Sequence, residues 1–314
     1  MNTITMVKSI IYNNLKPTYC GGGETHSARY CYSVWMRHLV MAFNNGLSKI
    51  PAKVAEFGPG NTIGSGLSAM LCGADELYCL DIFNYANTHQ NQLLFDELVK
   101  MFMKKMDIPD DVEFPAIKPK LQDYSFPSNI LTKEKLVKSL DKERINRIRE
   151  CIGSLSEKKY KEKVLYIAPW DSKDAHLTDV DFIFSQAVLE HIDNLEDAYA
   201  FFSKAISDNG YMGHQIDFKC HGTATKWNGH WSYSKLLFKL YRGKKPYLIN
   251  RQPFSVHELA AEKYGFNLVN VTKQYSDEEG IKRRQLKKPF KHITDEDLIT
   301  SGAYVLFNTL RDKH

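Results

Sequence analysis

One acid and four glycines stand close together in the stretch EFGPGNTIGSG, which begins at Glu56. A strand that ends at Gly58 and Gly60 leaves bare backbone at the carboxyl edge of a sheet, where a ligand can approach closely. A dinucleotide-binding turn would need G-x-G-x-x-G. Here Ile63 stands at the third glycine position, and Gly64 comes one residue late. The stretch therefore predicts a ligand site that departs from the dinucleotide pattern.

Two acidic residues near this turn predict the charge of the ligand. Glu56 would repel a pyrophosphate, so it favours a ligand that is cationic or carries an amino group. Asp81 ends a second apolar strand, 21 residues after Gly60, where an acid can accept hydrogen bonds from ribose hydroxyls. These features favour a nucleoside cofactor with an ammonium and a sulfonium, and they disfavour a nicotinamide-dependent oxidoreductase.

Two histidines are candidate general bases for an acceptor. His191 follows the fourth predicted strand, at the edge where ligands bind, and imidazole titrates in a suitable range. The alternative for His191 is a helix-start residue bonded to backbone. His214 is the second candidate. Because His214 and Asp217 are three residues apart on the fifth predicted strand, at most one of them should face the site.

An aromatic loop, HGTATKWNGHWSY, follows the fifth predicted strand. Its rings could form a wall on which a sugar or another flat acceptor stacks, or they could simply anchor the loop. A metal site of Asp217, His221 and His230 is a further alternative, although its spacing matches no established motif. The candidate substrate-binding residues of this loop are His221, Trp227, His230 and Trp231.

Alternating strands and helices must position these residues. Alternation of this kind predicts an α/β fold with a mostly parallel sheet and helices on both faces. An N-terminal helix over residues 26–47 precedes it. The predicted strands are 53–58, ELYCLDIF, 164–169, 180–186, 210–218, 266–275 and 303–310. The later helices are GSGLSAMLCGA, 197–206 and SVHELAAEKYGF, besides those of the insertion.

The domain organisation follows from shifts in composition. Residues 1–50 form an N-terminal helical cover, which contains a glycine-rich flexible loop at 18–30. Residues 51–314 form the main domain. It carries a Lys-rich helical insertion at about 90–163 and a substrate-side loop at about 219–253.

Four motifs in one order carry a family resemblance: EFGPG, LDIF, DFIFSQAVLEHI and NGYMGHQIDF. They resemble the class I S-adenosylmethionine-dependent methyltransferases over about residues 53–218, apart from the insertion. GPGNTIGSGLSAMLCGA is similar to a bacterial subgroup that methylates surface glycans or small molecules. The resemblance implies a Rossmann-like, seven-stranded sheet with an antiparallel last strand. It also implies S-adenosylmethionine as cofactor and S-adenosylhomocysteine as product.

The resemblance further implies roles for residues at the ends of the first four strands. The acid and the glycines at the end of the first strand would bind the methionine part of the cofactor. The acid after the second strand would bind its ribose, and residues after the third strand would bind its adenine. From the N-terminal helix, Tyr30 and Arg37 could reach the cofactor carboxylate or the acceptor. The favoured alternative is that this helix simply packs on the sheet. The implied cofactor-binding residues are Glu56, Gly58, Gly60, Asp81, Ile82, Trp170, Asp171, Ser185 and Gln186.

Composition and charge limit the classes of partner that the protein is expected to bind. The charge of +5 arises from 42 basic and 37 acidic residues spread along the chain, so a nucleic-acid partner is disfavoured. No apolar run reaches the roughly 18 residues of a membrane span, no signal peptide is recognisable, and the six cysteines form no CxxC pair. We expect a cytoplasmic protein without membrane partner or metal, and a homodimer is left open.

The leading hypothesis is in-line methylation of an oxygen on a small acceptor, such as a sugar, a nucleotide sugar or a surface-glycan precursor. An RNA or protein methyltransferase and a catalytically silent cofactor-binding protein are the alternatives.

Overall fold

The computed structural model describes residues 3–15, 25–155, 160–171, 177–245 and 247–309. The strands are β1 Lys53–Phe57, β2 Glu76–Leu80, β3 Lys163–Ile167, β4 Val180–Gln186, β5 Ile206–Asp217, β6 Asn267–Tyr275 and β7 Thr300–Asn308. The helices are α1 Thr3–Leu15, α2 Ala28–Asn44, α3 Gly64–Cys72, α4 Thr88–Met103, α5 Lys133–Ser139, α6 Lys142–Gly153, α7 Leu195–Ala205, α8 Lys235–Arg242, α9 Phe254–Lys263 and α10 Asp295–Ile299.

The seven strands form one sheet in the order β3-β2-β1-β4-β5-β7-β6. Strands β1 to β5 are parallel, whereas β7 pairs antiparallel with both β5 and β6. The predicted Rossmann-like sheet with an antiparallel last strand is therefore confirmed. The strand order reverses between β1 and β4, and open α/β sheets bind ligands at the carboxyl edge of such a reversal.

Helices cover both faces of the sheet, as predicted. On one face Trp35 of α2 packs edge-on against Phe182 of β4, with 5.7 Å between ring centroids. On the other face Phe202 of α7 packs edge-on against Phe57 of β1 at 5.1 Å. Aromatic pairs of this geometry contribute about 0.5–1.5 kcal/mol each beyond the burial of their area. These contacts fix the helices that frame the carboxyl edge.

Close packing of α3 explains the displaced glycines. A Cβ on Gly66 would lie 2.5 Å from the Leu77 side chain of β2. One on Gly64 would lie 2.6 Å from both Cys31 of α2 and Leu94 of α4. The helix–strand packing that the third glycine of a dinucleotide turn provides is thus supplied here by Gly66.

The insertion between β2 and β3 is only partly helical. Helices α4, α5 and α6 lie within it, but residues 104–132 contain no helix, because four prolines interrupt that stretch. Arg37 is buried and anchors it, donating to the Pro109 carbonyl at 2.8 Å and to Asp111 at 2.9 Å. Arg37 therefore does not line the cavity, as expected if this helix simply packs on the sheet.

Three helices were not predicted: α1, α8 and α10. Helix α8 lies within the stretch predicted as a loop, and it packs against α1. The buried side chain of Asn13 donates to the Tyr241 carbonyl at 2.6 Å. Helices this short are stabilised mainly by tertiary contacts, which local sequence patterns do not reveal. The glycines at 21–23 and the predicted strand end at residue 310 lie outside the described residues.

Candidate functional site

A cavity of about 590 Å³ opens at the carboxyl ends of β1, β2 and β4. Its volume falls within the roughly 300–1,000 Å³ typical of small-molecule sites. The structure brings most of the sequence-predicted residues together in its wall. These are Tyr30, Glu56, Gly58, Gly60, Asp81, Ile82, Trp170, Asp171, Gln186 and His191.

The glycine turn after β1 forms the floor of the cavity. Gly58 and Gly60 have φ angles of +69° and +75°, a backbone conformation that residues with a side chain rarely adopt. A Cβ on Gly58 would also lie 2.5 Å from the Val188 side chain. The Gly58 amide donates to the Leu80 carbonyl at 2.8 Å, which holds the turn against the end of β2. The turn therefore presents backbone, and not side chains, to a ligand.

Glu56 places a buried carboxyl group at the start of this turn. Its Oε2 accepts from the Gly66 amide at 2.9 Å. Burial raises the pKa of Glu56 to about 8, and the nearby Asp81 charge adds a smaller effect in the same direction. Burial makes ionisation of this carboxyl group costly, and a cationic ligand would offset that cost because it favours the charged carboxylate.

Asp81 stands at the end of β2 with its carboxylate held by backbone amides. Oδ1 accepts from Ile82 at 2.7 Å, and Oδ2 from Gly60 at 3.3 Å. Burial raises the pKa of Asp81, while these hydrogen bonds oppose that shift. The Trp170 amide donates to the Asp81 carbonyl at 2.6 Å. This backbone hydrogen bond links Asp81, predicted to bind the ribose, to Trp170, predicted to lie beside the adenine.

Trp170 forms a fixed aromatic wall. Its ring is edge-on to Phe57 at 4.5 Å and to Phe201 at 5.3 Å. Its indole Nε1 is buried and has no hydrogen-bond partner within the described part of the chain. A ring held in this way loses little entropy on binding a flat apolar group.

The cavity is strongly acidic although the chain is basic overall. No lysine or arginine from the described ranges lines it. Asp193 is offset by an ion pair with Arg242 at 2.5 Å. The lining carboxyl residues are Glu56, Asp81, Asp171, Asp193 and Asp197. Such a wall favours a cationic ligand and opposes one with phosphates.

Histidines meet at the end of the cavity near Tyr247. The His191 ring lies edge-on to the Tyr247 ring at 5.9 Å and to the His221 ring at 5.2 Å. His221 Nε2 lies 3.4 Å from an Asp217 carboxylate oxygen. The backbone of His221 has a φ of +46°, an uncommon conformation that clusters at functional sites. His221 itself stands behind His191 and is not part of the wall.

His191 is the imidazole that faces the cavity. Burial, and then the proximity of His221, lower the pKa of His191 to about 4, so its ring is neutral at pH 7. Its Nδ1 has no partner among the residues described here. A neutral imidazole nitrogen of this kind can accept a hydrogen bond and a proton.

His214 and Ser185 do not reach the cavity. They bond to each other, with 2.8 Å between Ser185 Oγ and His214 Nδ1, and the His214 ring stacks on Phe202 at 5.3 Å. Burial lowers the pKa of His214 to about 3. Because strand side chains alternate, both point into the core. The predicted roles of His214 as base and Ser185 as cofactor contact are wrong.

The aromatic loop residues are anchors and not a substrate wall. Trp227 Nε1 donates to the Glu278 carbonyl at 3.2 Å, and Trp231 Nε1 to the Arg251 carbonyl at 2.8 Å. His230 is buried beside Trp231, with ring centroids 4.8 Å apart. The predicted substrate roles of these three residues are therefore wrong. Across the described residues, no group of three or more His, Cys, Asp or Glu could hold a metal ion.

Some lining residues escaped the sequence analysis. Asp193 follows directly after VLEHI, at the sheet edge where the sequence predicts a ligand, and Asp197 lies four residues further on, in α7. Tyr247 comes from the basic stretch RGKKPYLINRQ, and only the tertiary fold brings it to the cavity. Tyr85 follows β2, and its backbone amide donates to the Tyr166 hydroxyl oxygen at 3.2 Å.

Comparison with known proteins returns only structural matches. No protein-family model matches the chain, and no curated protein matches it. A S-adenosylmethionine-dependent methyltransferase from Methanosarcina mazei has 10% identity and a TM-score of 0.44, covering 86% of this chain and 97% of that one. Magnesium protoporphyrin IX methyltransferase from Synechocystis PCC 6803, with bound S-adenosylhomocysteine, has 9% identity and a TM-score of 0.41, covering 97% and 93%.

A further match is geranyl diphosphate methyltransferase in complex with S-adenosylmethionine, at 10% identity and a TM-score of 0.44, covering 90% of this chain and 85% of that one. At these identities and scores, the matches do not establish a reaction. The strand order itself defines a Rossmann-like fold. None of the helices in the described residues is long and apolar enough to cross a bilayer.

Proposed function

We propose that this protein is an S-adenosylmethionine-dependent methyltransferase that methylates an oxygen of a small acceptor. The observation that carries the proposal is the acidic cavity at the strand-order reversal, which has five lining carboxyl residues and no lysine or arginine from the described part of the chain. A nucleoside that carries a sulfonium and an ammonium suits this charge. A dinucleotide or nucleotide phosphate does not.

Residues of the cavity fit the proposed cofactor group by group. Glu56 offers a carboxyl whose burial cost a cation would offset. The backbone at Gly58 and Gly60 admits close approach. Asp81 would accept from ribose hydroxyls, and Trp170, whose buried indole nitrogen is unpartnered among the described residues, would bound the adenine.

His191 is the proposed general base. When bound, S-adenosylmethionine supplies an electrophilic methyl group on sulfur. In methyl transfer the acceptor oxygen would take the methyl group from sulfur, and the His191 imidazole would take the hydroxyl proton. Positioning supplies much of the rate in such a displacement. His221, held by Asp217 at 3.4 Å, acts as a positioning residue behind the His191 ring.

The proposed acceptor is a neutral hydroxylated molecule, with sugars and glycan precursors as first candidates. Trp227 and Trp231 do not line the cavity, so stacking on these tryptophans is not an argument for a sugar as acceptor. Tyr30, Tyr85 and Tyr247 are tyrosines of the cavity wall on which a sugar could stack instead. The carboxyl groups disfavour nucleotide sugars and RNA, because both bring phosphates into an acidic cavity.

The test is turnover of methyl-labelled S-adenosylmethionine with a panel of neutral sugars, nucleotide sugars and small alcohols, followed as S-adenosylhomocysteine released. We expect His191→Gln to lower kcat by about 10²–10⁴-fold at unchanged cofactor affinity. His221→Gln should have a smaller effect, and His89→Gln on the exposed surface of α4 should have none.

Binding of the cofactor without turnover of any acceptor would favour the silent binding protein. Fluorescence enhancement of NADH on mixing would instead favour an oxidoreductase.

A further inference from the structure

An apolar surface lies on the pair of helices α1 and α8, and we call it the α1/α8 face. Six large apolar side chains there are between 46 and 73% exposed. Isolated exposed apolar residues are ordinary, but a concentration on two contacting helices is not. The six are Val7, Ile11, Tyr12 and Leu15 of α1, and Leu236 and Leu240 of α8.

The opposite sides of these helices are already occupied by internal contacts. Ile10 packs against a cluster that contains Phe238 and Tyr241. Asn13 is buried and donates to the Tyr241 carbonyl, and the Asn14 side chain donates to the Leu240 carbonyl at 2.9 Å. The exposed apolar side chains are therefore the outer face of a packed helix pair.

The two segments that form this face carry basic residues and no acidic ones. Helix α1 contains Lys8 and no acid, and residues 233–245 contain five basic residues and no acid. A second cavity adjoins α8, lined by Lys235, Pro289 and three basic side chains from one segment. Those three are Lys288, Lys291 and His292. Among the five basic residues of 233–245, the charge of Arg242 is offset by its ion pair with Asp193.

We propose that the α1/α8 face docks on an anionic lipid surface. Short amphipathic helices that combine exposed leucine and isoleucine with lysine lie in the membrane interface, where apolar burial and attraction to anionic headgroups add. A second copy of this chain fits less well, because a two-fold contact would bring two sets of like charges together. The absence of a spanning helix among the described residues does not bear on this mode, which needs none.

The face connects directly to the wall of the acidic cavity. Tyr241 and Phe238 pack with Leu248 and Ile249, the residues that follow the cavity-lining Tyr247. Membrane docking would therefore place the cavity near the bilayer, and an acceptor anchored in lipid could reach it. This last step rests on the proposed function, whereas docking itself does not.

Vesicle flotation of the full chain tests the docking. We expect the protein to float with phosphatidylcholine vesicles that contain phosphatidylserine, and to stay behind with phosphatidylcholine alone or at high salt. The double variant Leu236→Ser with Leu240→Ser should lose binding. The control Leu259→Ser removes an equally exposed leucine of α9 and should leave it unchanged. Circular dichroism of each variant checks that it folds.

Charge is tested separately. Lys239→Glu should weaken binding to the anionic vesicles by at least about fivefold, while Lys138→Glu on exposed α5 should not. Equal binding to both vesicle types, or no effect of the leucine pair, would overturn the proposal. So would calorimetric binding of inorganic phosphate without vesicle binding. A dimer that the leucine variants dissociate, without vesicle binding, would assign the face to a second copy instead.

Discussion

Replacing Glu56 by glutamine should change how the stability of the ligand-free protein depends on pH. The folded-state pKa of Glu56 is raised by burial from 4.5 to about 8. Between these two values the folded state keeps a proton that the unfolded state has lost. Stability from this group is therefore highest at low pH and falls as pH rises through that window. Glutamine does not titrate, so the variant should lack this contribution.

The size of the effect follows from the linkage. One proton of difference between folded and unfolded states corresponds to about 1.4 kcal/mol per pH unit. From pH 6 to pH 7.5 the wild type should therefore lose about 2 kcal/mol of unfolding free energy from Glu56 alone. The stability difference between Glu56→Gln and wild type should grow by that amount over the same interval.

Urea unfolding at both pH values measures this difference, with Glu97→Gln on the exposed side of α4 as control. The same carboxyl should release a proton when a cationic ligand binds below pH 8. Calorimetry of S-adenosylmethionine binding in buffers of different ionisation enthalpy should show that release for wild type and not for Glu56→Gln. Parallel pH profiles for wild type and variant would refute the reasoning about Glu56.

Two substitutions test the packing that forms the site. Gly58→Ala should abolish cofactor binding and destabilise the fold, because its φ is +69° and the new Cβ would lie 2.5 Å from Val188; Gly222→Ala, with φ +75° and nothing within 4 Å, should destabilise by about 1 kcal/mol and keep binding. Arg144→Met should cost about 3 kcal/mol in urea unfolding, since the buried guanidinium donates to three backbone carbonyls, two of which link the insertion to α3 and to the residues that follow it. Retained binding by Gly58→Ala, or wild-type stability of Arg144→Met, would contradict these contacts.

Local patterns were sufficient to predict the sheet and the edge of the sheet at which the cavity opens. Apolar runs that end at glycines or acids place the strand ends within a few residues, and the positions of Gly58 and Asp81 depend only on those strand ends. The direction of individual side chains was harder to predict. Ser185 and His214 occupy strands that reach the ligand edge, yet the pleat points both into the core, where they bond to each other.

Long-range packing decided the remaining features. The indole of Trp231 is buried and donates to the Arg251 carbonyl. The sequence of the loop that contains Trp231 does not reveal this partner. Tyr247 lines the cavity, and the two residues after it pack against Phe238 and Tyr241 of α8. Arg37 resembles a ligand contact in sequence, and only the path of the insertion turns it into an internal anchor. Each of these outcomes depends on residues more than 15 positions away in the chain.

Cofactor binding tests the central claim most directly. Calorimetric titration of S-adenosylmethionine and S-adenosylhomocysteine into wild type should show saturable binding at one site per chain, and Asp81→Ala should lose it while remaining folded. Such a result would assign the acidic cavity to the cofactor. Absence of binding to the wild type, with or without candidate acceptors, would contradict the methyltransferase proposal.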